Sequence, residues 1–158
     1  MRPTKPVEYS LTERTHLLRY DSINGAGRLF GGKLIAWIDE VASITARRHA
    51  QIQVTTAAID NLQFKNPAVL DDLVYICGRV TYVGNSSMEV RVDSYVEDYD
   101  GMRRPINRAY FTIVTVDENG YATQVPYGLE VKTEAQKAEW EGALKRIENR
   151  KMRRREGY

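Results

Sequence analysis

The stretch GRLFGGKLIAWIDEVA, residues 27–42, decides the fold of this chain. Two glycines open it, and a tryptophan and two adjacent carboxylates, Asp39 and Glu40, lie among its apolar residues. Apolar residues recur there at helical spacing, so the stretch predicts one long helix over residues 31–49. Beyond this helix the hydrophobic period changes from helical to alternating, which indicates strands.

Five strands are predicted around that helix. One extended segment precedes it, and a loop rich in Asp, Ser, Asn and Gly joins the two. The strands after the helix are rich in β-branched residues and are separated by turns such as KNPAVLDD, GNSS and ENG. The predicted strands cover residues 7–18, 54–64, 73–84, 88–97 and 106–117.

The order of these elements predicts an α+β architecture. Strands joined by turns this short are expected to be antiparallel neighbours, and one helix covers only one face of their sheet. Segments such as AYFTIV and LVYICG are apolar on both faces, so we expect a second subunit to cover the other face. The expected fold is a curved antiparallel sheet of five to six strands wrapped around one central helix, assembled at least as a dimer.

The C-terminal segment predicts a second helix that begins after Thr133. Thr133 and Gln136 match a capping box, and Trp140, Leu144 and Ile147 recur at helical spacing. From residue 134 onward there are eight Lys or Arg against five Asp or Glu, whereas the whole chain has a net charge of only +2. We therefore expect a domain over residues 1–126 and a helical basic extension over residues 127–158.

Composition is that of an ordinary globular protein, with 42% hydrophobic and 28% charged residues. The single cysteine, Cys77, has no intrachain partner and no metal-ligand spacing, so a reducing cytoplasm is the expected location. No signal peptide or membrane-spanning run is recognisable. His16 and His49 are far apart and show no metal-binding spacing, so we expect both to be structural or solvated.

The two adjacent carboxylates differ in their helical neighbours. Residues three and four apart share a face of a helix. Glu40 shares its face with Lys33 and Arg47, which is typical of a solvated surface, whereas most neighbours of Asp39 are Gly, Ala or Ser. A partly buried carboxylate without a cation is costly and seldom kept for stability alone. Two interpretations of Asp39 stay open: a chemical role, or a hydrogen bond to a Thr or a backbone amide.

Gly31 and Gly32 lie in the first turn of the predicted helix. Backbone N–H groups there lack partners and carry partial positive charge, and glycine lets another group approach closely. With Asp39 about two turns further along the same helix, these amides would hold a carbonyl oxygen while the carboxylate activates water nearby. Close packing of the helix on the sheet is the alternative explanation of the glycine pair.

Several segments resemble, in order, the acyl-CoA thioesterases of the hotdog-fold superfamily, a group that includes cytosolic acyl-CoA hydrolases of animals and single-domain bacterial relatives. The resemblance runs from about residue 7 to residue 126, and the tail is also similar to the end of that group. It implies a hotdog fold, a dimer with interfacial active sites that is often built into hexamers, and hydrolysis of an acyl-CoA thioester. It implies no cofactor, since coenzyme A is part of the substrate. The segments are NGAGRLFGGKLIAWIDEVASITARRHA, VTTAAIDNLQF, GRVTYVGNSSMEV and AYFTIVTVDENG.

The resemblance also implies roles for individual residues. Asp39 would be the general base or the nucleophile, and the amides of Gly31 and Gly32 would polarise the thioester carbonyl. Thr56, as part of the catalytic site, and Thr55, as part of the coenzyme A site, would approach from the partner subunit. Some relatives carry His where this chain has Phe30, which bears on substrate preference. The remaining implied contacts are Asn24 for positioning substrate, and Gly84, Asn85, Ser86 and Ser87 for coenzyme A.

Three alternative functions stand against this one. An enoyl-thioester hydratase of the same fold uses an Asp–His arrangement, and residues 40–44 contain no His. A non-enzymatic acyl-CoA-binding regulator would carry an N-terminal helix-turn-helix, for which fewer than ten residues before the first strand are too few. Glutamates interrupt the basic tail, which favours a solvated helix end over nucleic-acid binding. A narrower hypothesis has Arg150, Arg153 or Arg154 reach coenzyme A phosphates on a neighbouring subunit.

Overall fold

The computed structural model describes residues 1–158 and consists of two long helices and seven strands. Two short 3-10 turns, at Val7–Ser10 and Tyr20–Ser22, connect the first elements. Neither long helix contains an apolar stretch of the length needed to cross a membrane. In chain order the elements are β1 (Thr4–Pro6), β2 (Thr12–Leu17), α1 (Gly31–Ala50), β3 (Val54–Phe64), β4 (Leu73–Val83), β5 (Ser87–Glu97), β6 (Arg103–Thr115), β7 (Gly128–Glu130) and α2 (Glu134–Glu156).

Five strands form one antiparallel sheet that is wrapped around α1. Their order across the sheet is β2-β4-β5-β6-β3, and α1 lies against every one of them. The core between helix and sheet is apolar, with Ile38 and Val41 of α1 buried together with Val90 and Phe111 of the strands. This arrangement confirms the predicted α+β class and hotdog fold.

The expectation that consecutive strands are neighbours is wrong for β3. This strand pairs with β6 at one edge of the sheet, whereas β4 lies between β2 and β5. The connection between β3 and β4 passes the beginning of α1, where the N–H of Leu29 donates to the carbonyl of Ala68 at 2.8 Å. Because this loop spans the sheet at the helix end, it joins two strands that do not touch, and β3 is left with one free edge.

The prediction of one strand over residues 7–18 is also wrong. Val7–Ser10 form a 3-10 turn, and the strand proper is β2. A parallel pair of three-residue strands, β1 with β7, ties the N-terminus to the segment before α2. Strands this short carry too little hydrophobic period to be recognised in a sequence.

Helix α2 packs on the face of the sheet opposite α1, so the chain itself covers part of the face for which we expected a second subunit. Its capping box of Thr133 and Gln136 is confirmed. Trp140 lies beside Tyr82, with the two ring centroids 4.5 Å apart, whereas Leu144 is 46% exposed and does not continue the buried stripe.

The basic end of α2 is only partly the solvated end that the sequence suggested, since Lys151, Arg154 and Arg155 are exposed whereas other arginines are paired. Arg150 and Arg153 both pair with Asp60 on β3, and the neighbouring Arg146 pairs with Glu89 on β5. These partners belong to the same chain, which contradicts the hypothesis that Arg150 or Arg153 reaches coenzyme A on a neighbouring subunit. For the exposed Arg154 that hypothesis stays a prediction.

Candidate active site

Asp39 projects from the middle of α1 towards the beginning of β3. Its Oδ1 accepts a hydrogen bond of 2.7 Å from the hydroxyl of Thr56. Its other oxygen, Oδ2, accepts no hydrogen bond from the chain, and no Lys or Arg pairs with this half-buried carboxylate. Thr56 belongs to the same chain, so the expectation that it approaches Asp39 from the partner subunit is wrong.

The residues that flank this pair face elsewhere. Glu40 is exposed and forms an ion pair with Arg14 of β2, as the solvated-surface interpretation predicts. Thr55 is exposed on the opposite face of β3 from Thr56, because successive side chains of a strand alternate. The structure therefore brings Asp39 and Thr56 together and leaves Thr55 outside their contact.

Gly31 and Gly32 begin α1 with two free backbone donors. Their N–H groups donate to no acceptor in the chain, and no side chain caps the helix. A Cβ atom at Gly31 would lie 3.3 Å from the Phe64 ring, and one at Gly32 would lie 2.8 Å from the Phe30 ring. Two exposed aromatic rings thus line the helix start. The sequence did not single out Phe64, because only the fold brings the end of β3 to this point.

Asn24 lies in the loop before the helix. Its side-chain oxygen accepts the N–H groups of Ala26 at 2.9 Å and Arg28 at 3.2 Å, so this oxygen shapes the loop. The amide nitrogen of the side chain donates to nothing in the chain and is free for a ligand. Asn24, Gly31 and Phe64 line one cleft of about 380 Å³.

The turn Gly84–Ser87 lies at the other end of the sheet. Its backbone is fixed, since Asn85 O accepts the N–H of Val125 at 2.8 Å and Ser86 O accepts the N–H of Thr115 at 3.0 Å. The strand register aligns Thr56 with Ile113 and Ile113 with Met88, directly after the turn. Thr56 and the turn therefore belong to one end of the sheet, and Asn24 and the glycines belong to the other.

The helix amides and the carboxylate of one chain lie well apart along α1. Gly31 and Gly32 precede Asp39 by seven to eight residues in one continuous helix, which corresponds to about 10–12 Å along its axis. A general base acts over hydrogen-bond distance, directly or through one water. Neither group therefore reaches the other by a direct hydrogen bond, and the expectation that both act on one carbonyl stays a prediction.

The remaining candidate groups are structural. His49 is fully buried with Nε2 3.1 Å from the carbonyl of Tyr127, and burial lowers its pKa. His16 stacks on Trp37 at 4.1 Å between centroids, and burial also lowers its pKa. Burial raises the pKa of the half-buried Cys77 thiol, which disfavours a nucleophilic thiolate. The chain contains no cluster of His, Cys, Asp or Glu disposed to bind a metal.

Residues 26–100 match the family model of the thioesterase superfamily. The chain is also 38% identical over 133 residues to YkhA of Bacillus subtilis, an uncharacterized acyl-CoA thioester hydrolase, and the match covers 84% of this chain and 77% of that protein. The chain belongs to the thioesterase superfamily. Within it, the similarity is to acyl-CoA thioester hydrolases.

Solved thioesterase structures extend this similarity to nearly the whole chain. An acyl-CoA hydrolase from Staphylococcus aureus, in complex with coenzyme A, superposes with a TM-score of 0.92 at 34% identity and covers 99% of this chain and 94% of that one. A hexameric acyl-CoA thioesterase superposes with a TM-score of 0.90 at 41% identity and covers 96% and 97%.

Variants of the Staphylococcus aureus enzyme replace one Asn, one Asp and one Thr by Ala. Those three positions follow one another at the same spacing as Asn24, Asp39 and Thr56 do in this chain.

Proposed function

We propose that this thioesterase-superfamily chain hydrolyses acyl-CoA thioesters to a free carboxylic acid and coenzyme A. The observation that carries the proposal is the Asp39 carboxylate. It is half-buried without a cation, and Thr56 fixes one of its oxygens while the other stays free. A carboxylate held in this way serves as a base for an attacking water.

A second copy of the chain supplies the other half of the site. β3 has a free edge along eleven residues, and two such edges related by a two-fold axis pair antiparallel. That pairing places the Thr56 end of one strand beside the Phe64 end of the other. Asp39 of one chain then faces the unpaired amides of Gly31 and Gly32 of its partner. Within one chain the same groups lie about 10–12 Å apart along the helix axis.

Hydrolysis follows from these groups in two steps. Asp39 Oδ2 takes a proton from water while the oxygen of that water adds to the thioester carbon. The developing oxyanion accepts hydrogen bonds from the Gly31 and Gly32 amides, where the partial positive charge of the helix start stabilises it. The intermediate then collapses and expels the sulfur of coenzyme A, which takes the proton from Asp39 and restores the carboxylate. In a second route, the Asp39 carboxylate attacks the thioester carbon and expels the coenzyme A thiolate, and water then cleaves the mixed anhydride.

Other parts of the chain have supporting roles in this proposal. The side-chain amide of Asn24 positions the substrate, and the turn Gly84–Ser87 with Thr55 contacts coenzyme A. The dimers assemble into a hexamer as a trimer of dimers, supported by the hexameric relative, and the protein works in the cytoplasm. Residues 1–126 form the thioesterase unit and residues 127–158 its extension.

The proposal is tested by replacing Asp39 with Asn and measuring coenzyme A release with a thiol reagent across acyl-CoA chain lengths. Loss of the base is expected to lower kcat by at least about 100-fold, with unchanged assembly by size-exclusion chromatography. The matched control is Glu40→Gln on the same helix, which is expected to keep the rate within about 2-fold because its ion pair is exposed. A wild-type chain that releases no coenzyme A, or an active Asp39→Asn variant, would overturn the proposal.

A further inference from the structure

Helix α2 is attached to the sheet mainly by arginines. Ala143 is its only fully buried residue. Arg150 and Arg153 bind the two oxygens of Asp60 at 2.5 and 2.9 Å, and this carboxylate is 8% exposed. We call these three side chains the Asp60 clamp. The clamp attaches α2 to β3, the strand that carries Thr56.

β3 is the sheet strand with the most interrupted ladder. It pairs on one side only, with β6, and its register shifts between Thr56 and Ala58 and again between Asp60 and Gln63. Each shift places one extra residue in β3 opposite its partner strand, as in a β-bulge. Asn61, within the second irregularity, has a positive φ of 59°. Within one chain, the ladder that fixes the segment between Thr56 and Gln63 is therefore interrupted near both of its ends.

The first irregularity decides which way two side chains point. Thr56 and Asp60 are four residues apart, and in a regular strand they would face the same side of the sheet. The extra residue after Thr56 reverses the alternation. As a result, Thr56 faces α1 and bonds Asp39, whereas Asp60 faces α2 and bonds the arginines. The irregular segment is thus held from both faces, by Asp39 on one and by the clamp on the other.

We propose that Arg150 and Arg153 are positioning residues for the hydrolysis. They fix Asp60, Asp60 fixes the bulged segment of β3, and that segment orients the Thr56 hydroxyl that holds Asp39. Neither arginine touches the substrate or Asp39. In this way the C-terminal helix determines how accurately the carboxylate of Asp39, the general base, is oriented. The inference rests on the proposed function where it is tested by activity. Hydrogen exchange of β3 tests it independently of that function.

The test replaces both clamp arginines, as Arg150→Gln with Arg153→Gln, in the full-length assembled protein. The expected result is a kcat lower by about 5- to 50-fold, since small misplacements of reacting groups cost up to about 100-fold, with KM for acyl-CoA within about 2-fold. Amide hydrogen exchange of residues 54–64 is expected to accelerate. Asp60→Asn, which keeps the shape of the side chain, is a second variant in case the double variant does not fold.

The matched control is Arg79→Gln. It breaks another ion pair of α2, from β4 to Glu139, at a distance from β3. This control is expected to leave both kcat and the exchange of β3 unchanged.

Coupling to Thr56 separates positioning from general stability. In a Thr56→Val background, the clamp variant is expected to lose little further activity, because the hydroxyl that it orients is already absent. A full additional loss in that background, a wild-type kcat in the clamp variant, or an equal loss in Arg79→Gln would overturn the proposal. If wild type itself releases no coenzyme A, the proposed function fails, while unchanged exchange of β3 would by itself contradict the clamp.

Discussion

The two helices are attached to opposite faces of one sheet by different interactions. α1 buries an apolar face that includes Ile38 and Val41. On α2 only Ala143 is fully buried, and the helix depends largely on arginines that reach carboxylates of the strands. Apolar burial is non-directional, whereas a buried ion pair requires defined geometry and is costly when one partner is lost. We infer that apolar burial stabilises the attachment of α1, whereas the ion pairs of α2 fix particular positions on the sheet.

The largest expected loss of stability follows when an ion pair that attaches α2 to the sheet is broken. Arg146→Ala leaves the carboxylate of Glu89, which is 3% exposed, without its cation. The free energy of unfolding in urea is expected to fall by about 3–5 kcal/mol.

Replacing both members of the Arg146–Glu89 pair tests whether an unpaired buried charge causes this loss. The double variant Glu89→Met with Arg146→Met removes the buried charge together with its partner, so it is expected to cost much less than Arg146→Ala. A double variant that is less stable than Arg146→Ala would show that the pair is not governed by the cost of burying an unpaired charge.

The next effect concerns the apolar attachment of α1. Ile38 has no exposed surface, so Ile38→Ala is expected to lower the free energy of unfolding by about 3 kcal/mol through lost burial and a cavity. Leu144→Ala on α2 is the matched control. Its side chain is 46% exposed, and it is expected to change stability by less than about 0.5 kcal/mol. Equal losses in urea unfolding would contradict the contrast between the helices.

The smallest effect lies at the end of α1, where burial lowers the pKa of His49. Unfolding exposes this imidazole, which then takes up a proton near its usual pKa of about 6.5. The stability that it contributes is complete above that pH and is lost as the pH falls from about 7 towards the lower folded-state pKa, at up to about 1.4 kcal/mol per pH unit. Urea unfolding at pH 7, 6 and 5 is expected to show this slope, and His49→Gln to reduce it. His16→Gln tests the smaller contribution of the less buried histidine to this slope of stability against pH. An unchanged slope in His49→Gln would exclude His49 as its source.

The same contrast explains what the sequence could predict. The apolar period of α1 and the alternation around Val90 gave the helix, most strands and the fold class, because hydrophobic burial repeats with the period of the backbone. Helical spacing also separated Asp39 from Glu40, since neighbours on a helix are local in sequence.

Contacts between distant residues were not predictable in this way. Nothing in the tail indicates that Arg150 binds Asp60, because a basic run has the same appearance whether it is solvated or paired. The position of β3 beside β6 depends on how one loop passes the helix end, and no residue marks the bulge after Thr56. The distance from Gly31 to Asp39 was available from helix geometry, and it is the reason for proposing that a second chain completes the site.

The central claim is that hydrolysis needs Asp39 of one chain and the helix start of another. The most direct test combines two variants, Asp39→Asn and Asn24→Ala, with different affinity tags, and purifies the assemblies that contain both chains. Each variant alone is expected to be nearly inactive. A mixed dimer has one site with both wild-type groups and one with neither, so it is expected to recover roughly half of the wild-type rate. Mixed assemblies that stay as inactive as their parents would contradict the account.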